Sequence, residues 1–219
     1  MKKLKYIDLF AGIGGMRIGL TQACSDHKIK SECVFSSEWD KNCQETYELN
    51  FDEKPFGDIT EIVKNNIEII PGHDLLMAGF PCQPFSNAGL KKGFNDTRGT
   101  LFYDIAKIIE TKKPKAFLLE NVKGLRSNNK GNTLKVILKV LREDLGYYVP
   151  DPKILNSKDF GLPQNRERLF IVGFSKTNNF LFPEPLNIKT KVSNILNPGA
   201  TPKKYFILFT YLFLIYKRF

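Results

Sequence analysis

The chain has 219 residues, enough for one α/β domain with a well-buried core. Its formal net charge of +10 favours a polyanionic partner. Four cysteines without a C-x-x-C pair, and two histidines far apart (His27 and His73), suggest no metal site. No signal-peptide pattern opens the chain, which points to a cytoplasmic protein with reduced thiols.

Hydrophobic runs alternate with amphipathic stretches, the pattern of βαβ units and a parallel sheet. A strand is predicted over Leu4–Leu9. It ends at Phe10, and the turn Gly12-Ile13-Gly14-Gly15 leads into a helix over Met16–Cys24. Glycines let a backbone approach a ligand closely, although such a turn also serves plain strand–helix packing. A second strand, Cys33–Ser37, delivers Glu38-Trp39-Asp40. An acid at that place can bind two ribose hydroxyls. Trp39 either offers a flat face to a purine or sulfonium, or packs in the core. The turn is shorter than the G-x-G-x-x-G of dinucleotide enzymes, so it suits a nucleoside without pyrophosphate. A helix over Lys41–Leu49 follows, then a short strand before Asp58.

A third long strand, Asp74–Ala78, feeds the loop Gly79-Phe80-Pro81-Cys82-Gln83-Pro84-Phe85-Ser86. Proline fixes its own backbone angle and pushes its predecessor towards extended geometry, so Cys82 sits on a stiffened turn at a strand end. That placement suits a nucleophile, and equally a tight turn holding a small apolar residue. A helix is predicted over Phe102–Lys112 and a strand over Ala116–Glu120, within Leu118-Leu119-Glu120-Asn121-Val122. Glu120, ending a buried strand, reads as an acid or as a capping residue. A helix over Thr133–Glu143 and strands over Tyr147–Leu155 and Leu169–Phe174 complete the pattern. Arg166 and Arg168, in Gln164-Asn165-Arg166-Glu167-Arg168, alternate along an extended segment and so face one side.

Compact character fades after about Gly173. Pro183, Pro185, Pro198 and Pro202 among polar residues read as a linker. The run from Tyr205 to Tyr216 is almost wholly apolar, but about a dozen residues fall short of the roughly 20 that span a bilayer. No membrane association is expected.

The glycine turn, the Pro-Cys-Gln-Pro loop, the Glu-Asn-Val strand end and the Gln-x-Arg-x-Arg segment, in this order and spacing, closely resemble the DNA cytosine-5 methyltransferase family. The similarity is to small bacterial restriction–modification enzymes and runs from Leu4 to about Leu196. It implies an α/β, Rossmann-like S-adenosylmethionine-dependent domain with a mostly parallel, doubly wound sheet over residues 1–174. Residues 175–202 would then be a linker towards a target-recognition domain, and 203–219 an atypical apolar tail. In the family that domain is followed by a return to the catalytic domain, ending in a helix beside the first strand. Neither is recognisable here, so the expectation is a chain truncated before target recognition, with a second polypeptide as the candidate source of the missing motifs.

The resemblance also implies roles. Cys82 would be the nucleophile that adds to carbon 6 of cytosine. Glu120, kept protonated by burial, would serve ring nitrogen 3. Arg166 and Arg168 would supply positive charge near the thiolate. S-adenosylmethionine would contact Phe10, Gly12, Gly14, Glu38, Trp39, Asp58, Ile59, Pro81 and Leu101. The target carbon is hidden in stacked DNA, so the base must flip out. The loop Ser86–Gly99 suits closure over it, with Ser86 positioning substrate and Lys91, Lys92 and Arg98 reaching phosphates. The implied partners are double-stranded DNA and, functionally, a cognate restriction endonuclease. A truncated remnant without specific methylation, an RNA cytosine methyltransferase and, less favoured, a nicotinamide oxidoreductase remain as alternatives.

Overall fold

The computed structural model describes residues 3–81, 101–186 and 188–195. Cys82, Ser86, Lys91, Lys92, Arg98 and the tail 203–219 lie outside these residues. Six strands form one sheet: β1 (Leu4–Leu9), β2 (Ser31–Ser37), β3 (Leu75–Gly79), β4 (Ala116–Val122), β5 (Lys153–Asn156) and β6 (Glu167–Phe174). Their order is β2-β1-β3-β4-β6-β5. The first four run parallel, joined through α1 (Gly15–Asp26), α2 (Lys41–Phe51), α3 (Ile59–Asn66) and α4 (Leu101–Lys112). The mostly parallel, doubly wound sheet expected from the sequence is present.

The sequence pattern missed several details. Strand β6 is antiparallel to both β4 and β5. The ten residues between β5 and β6 hold only one short turn of helix, too little for a parallel crossover. The strand expected before Asp58 is a single bridge between Ser37 and Phe56. Of Tyr147–Leu155, only the last three residues fall in β5, and Tyr148 merely bridges to Phe174. The helix expected over Thr133–Glu143 divides into α5 (Asn132–Lys139) and a π-turn, Val140–Asp144. Helix α3 was not read from the sequence; Asp58 caps it by accepting from the Thr60 amide at 2.9 Å.

One face of the sheet carries the core. Ile7, Leu9, Leu76, Ala78, Phe117, Leu119, Leu169 and Ile171 alternate along four strands and are buried. Phe102, Ile105, Ala106, Ile108 and Ile109 of α4, with Ile137 of α5, close over them. Full burial of each larger side chain contributes about 1.5–3 kcal/mol. Gly173 lies opposite Phe117 in the β4–β6 ladder, where a methyl group would overlap the phenyl ring.

The other face is covered unevenly. Helices α1 and α2 sit over β1 and β2, bringing Arg17 and Tyr47 to Asp8. Over β3 and β4, Leu75, Ala116 and Leu118 stay half-buried although they belong to central strands. Among the described residues no helix is long and apolar enough to cross a membrane.

Candidate active site

The chain leaves β1 towards β2, whereas β3 lies on the opposite side of β1. A crevice opens at such a switch point, beyond the carboxyl ends of the strands. Here it is a cleft of about 490 Å³, within the range of small-ligand sites.

The turn after β1 forms one wall. Phe10 lines the cleft, and it shares a left-handed backbone (φ 53°) with Gly12 (φ 55°) and Gly14 (φ 90°). The two glycines do not themselves line the cleft. The Gly12 amide instead donates to Glu38 Oε2 at 2.8 Å, and Gly14 packs against the Phe51 ring, where a methyl would overlap.

Glu38 leaves the end of β2 and is 6% exposed. Its other oxygen accepts the Asp40 amide at 2.9 Å. Both oxygens are therefore fixed in place while each keeps a lone pair for a ligand hydroxyl. Trp39 is 72% exposed and lines the cleft, which excludes the core-packing alternative. Asp58 and Ile59 enter from the N-terminus of α3, which Ser37 Oγ helps hold by donating to the Gly57 carbonyl at 2.7 Å. Pro81 and Leu101, flanking the segment outside the described residues, face the same space.

The opposite wall is ionic. Arg168 Nε lies 2.8 Å from Glu120 Oε1, and Arg166 Nη2 lies 4.0 Å from the same oxygen. Both arginines face one side, as their alternation predicts. The sequence reading put Glu120 in a desolvating environment and aimed the arginines at the thiolate. The structure pairs all three, with the Glu120 side chain 19% exposed against a guanidinium. Asn121, 1% exposed, donates from Nδ2 to the Phe80 carbonyl at 2.8 Å and accepts the Val122 amide at 2.8 Å.

Three contributors escaped the sequence reading. Asn156 ends β5, 9% exposed, and its Oδ1 accepts the Arg166 amide at 3.1 Å while its Nδ2 donates to Asn165 at 2.7 Å. An asparagine closing a strand ahead of Gly161 is a turn signal that could have flagged it. Ser37 lines the cleft beside Glu38. Asp104, in the first turn of α4, has its carboxyl pushed up to about 6, first by burial and then by the charge of Asp58. Among the described residues no cluster of three or more His, Cys, Asp or Glu is arranged to hold a metal ion.

The cleft thus has a fixed acid, Glu38, at one wall and the Glu120–Arg168 pair at the other. A family model for C-5 cytosine-specific DNA methylase matches residues 4–211. The chain belongs to that family. It is 52% identical over 214 residues to the type II methyltransferase M.HpaII of Haemophilus parainfluenzae, covering 96% of this chain and 58% of that protein. It is 54% identical to M.HaeII of Haemophilus aegyptius, covering 94% of this chain and 62% of the relative. It thus spans about three fifths of the length of these curated relatives. The crystal structure of S. pombe Dnmt2 methyltransferase superposes with a TM-score of 0.66 over 91% of this chain and 61% of that one, at 19% identity. That likeness speaks to the fold alone.

Proposed function

We propose that this chain is the catalytic portion of a DNA cytosine-5 methyltransferase of a restriction–modification system. The observation that carries the reading is the single cleft in which Glu38 and Trp39 face the Glu120–Arg168 pair across the end of β3. The match to a family model described as C-5 cytosine-specific DNA methylase supports DNA over RNA as substrate.

The residues fit a nucleoside methyl donor. Glu38 takes the ribose hydroxyls, Trp39 covers the purine or the sulfonium, and Asp58 with Ile59 meets the adenine edge. S-adenosylmethionine supplies the electrophilic methyl group. Cys82, as thiolate, adds to carbon 6 of a flipped cytosine and makes carbon 5 nucleophilic. Electron density moves onto ring nitrogen 3, where Glu120 donates or shares a proton. Arg168 and Arg166 hold the Glu120 carboxylate in place between proton transfers. Asn121 fixes the Phe80 carbonyl, and with it the approach to Cys82. Once carbon 5 carries the methyl group, water takes its proton, the carbon 6–sulfur bond breaks so that Cys82 leaves as thiolate, and nitrogen 3 returns its proton to Glu120, which restores the aromatic ring.

In this reading residues 1–174 carry the chemistry and 175–202 lead towards target recognition. Ser86, Lys91, Lys92 and Arg98 would meet the DNA. The half-buried strip Leu75, Ala116 and Leu118 supports docking of further polypeptide on that face, in the same chain or a second one. The protein is read as cytoplasmic, working beside a cognate endonuclease.

Transfer of a labelled methyl group to duplex DNA, with and without the polypeptide equivalent to the rest of the relatives, tests the reading. Covalent trapping on DNA carrying 5-fluorocytosine, abolished by Cys82→Ser, is the expected signature. Undiminished trapping by the serine variant would overturn it.

A further inference from the structure

The glycine turn beside the cleft is shaped from outside. Phe10, Gly12 and Gly14 all have positive φ; the two glycines adopt it freely, whereas at Phe10 it persists only where the surroundings over-determine it. The surroundings here are the C-terminal end of α2. Asn50 Nδ2 donates to the Ile13 carbonyl at 3.0 Å. The Phe51 ring lies flush against Gly14, leaving no room for a methyl group.

Phe51 is itself gripped. The Arg17 guanidinium, from the first turn of α1, stacks over its ring at 4.2 Å. Tyr47, fully buried, abuts it with ring centroids 4.6 Å apart. Arg17 is anchored in turn by Glu53 at 3.0 Å and by the Tyr47 hydroxyl at 2.9 Å. The opposite end of α2 begins just after Glu38, whose carboxylate accepts the Gly12 amide. Residues just ahead of α2 and at its C-terminal end therefore hold the turn from both sides. Neither Arg17 nor Phe51 lines the cleft.

We propose that Arg17 and Phe51 are positioning residues for cofactor binding, a clamp that keeps the glycine turn in the shape that presents the Gly12 amide to Glu38. The proposal rests on the cleft being an S-adenosylmethionine site. If the ring leaves, Gly14 gains freedom, Gly12 drifts from Glu38, and the acid loses one of the two donors that orient it. The clamp acts through the backbone and touches no ligand.

Two measurements on the full chain test it. Amide hydrogen exchange needs no cofactor. In Phe51→Ala, the amides of Gly12, Gly14 and Ile18 should exchange at least about tenfold faster, while those of α4 keep their protection. Calorimetry with S-adenosylmethionine should show binding weakened by about tenfold or more in Phe51→Ala and in Arg17→Met. The penalty that Gly14→Ala adds should be smaller in the Phe51→Ala background, because the overlap with the ring is gone and only the backbone strain remains. A general loss of stability would not produce that coupling. Unchanged exchange at the turn would overturn the clamp whatever the cofactor does. Faster exchange with equal affinity in wild type and variants would overturn its link to binding. Failure of every protein, wild type included, to bind S-adenosylmethionine would sink the methyl-donor reading instead, and the clamp is then judged on exchange and on coupling in thermal unfolding.

Discussion

Asn121, at the buried end of β4, reaches across to the main-chain carbonyl of Phe80, 2.8 Å away on the neighbouring strand end. Its own carbonyl oxygen is occupied by the Val122 amide. One side chain therefore ties together the strand that bears Glu120 and the strand that leads to Cys82. Replacing it with alanine strands a buried carbonyl, at a cost of about 1–3 kcal/mol. We expect Asn121→Ala to lower the unfolding free energy by that amount. It should also reduce 5-fluorocytosine trapping more than it reduces cofactor binding. Equal losses in both assays would show that the bond has no special bearing on the cysteine loop.

Glu38 is oriented before any ligand arrives, by the amides of Gly12 and Asp40. Glu38→Ala should weaken S-adenosylmethionine binding by about 1–3 kcal/mol, the range for lost charge-assisted hydrogen bonds. Titration calorimetry giving the same affinity for both proteins removes Glu38 from the site.

Glu120→Gln keeps the shape and a hydrogen bond but cannot donate a carboxyl proton. Methyl transfer by the complemented protein should fall by about 10²–10⁴-fold, the contribution of general acid–base catalysis. Cofactor affinity should not change. A variant with full turnover would assign the proton to another group.

Asp8 is 1% exposed, and burial pushes its carboxyl up to about 7, against the opposing pull of Arg17 and Tyr47. The fold therefore favours the protonated acid, whereas the unfolded chain releases that proton near its ordinary value. The stabilising contribution is complete below about pH 4 and is lost as pH rises towards 7. Chemical denaturation should show wild type losing about 2–4 kcal/mol relative to Asp8→Asn between pH 4 and pH 8. Parallel pH profiles for the two proteins would mean that Arg17 and Tyr47 fully offset the burial.

Gly173→Ala places a methyl into the Phe117 ring at the centre of the sheet. We expect destabilisation of about 1–3 kcal/mol by overpacking, measurable by urea unfolding. Phe117→Leu in the same chain should recover part of it.

The strands of the parallel half were legible because each is a short, largely apolar or β-branched-rich stretch bounded by a turn signal. Leu4–Leu9 and Asp74–Ala78 are examples, and their ends carry Phe10 and Pro81 into the cleft. Helix α3 was not legible: four of its eight residues are β-branched, so its pattern is too short to separate from a strand. The direction of β6 was also hidden, since an apolar run reads the same either way. The pairing of Glu120 with Arg168 follows from that direction and was equally invisible. The Phe51 ring against Gly14 was not legible either, because glycine spacing does not show which side chain packs beside it.

Strand β6 ends at Phe174, beside Ala116, at the edge of the sheet farthest from the cleft. The chain then retraces its path. The Phe180 ring packs at a tilt against Phe174, Glu184 pairs with Lys153, the Leu186 amide donates to the Asp159 carbonyl, and Ile188 and Thr190 come up to Gly161. This strap returns the polypeptide to the end where Asn156 positions Arg166. It works as a ruler: eight residues of β6 going out at about 3.3 Å each are matched by an extended return of similar reach. A deletion of two or three residues between Ser175 and Leu186 would leave every cleft side chain in place. It would shift where the following polypeptide emerges by about 7–10 Å, two base-pair steps or more along a duplex. Spacing in this segment, rather than its side chains, would therefore set where the polypeptide after it stands relative to the cleft.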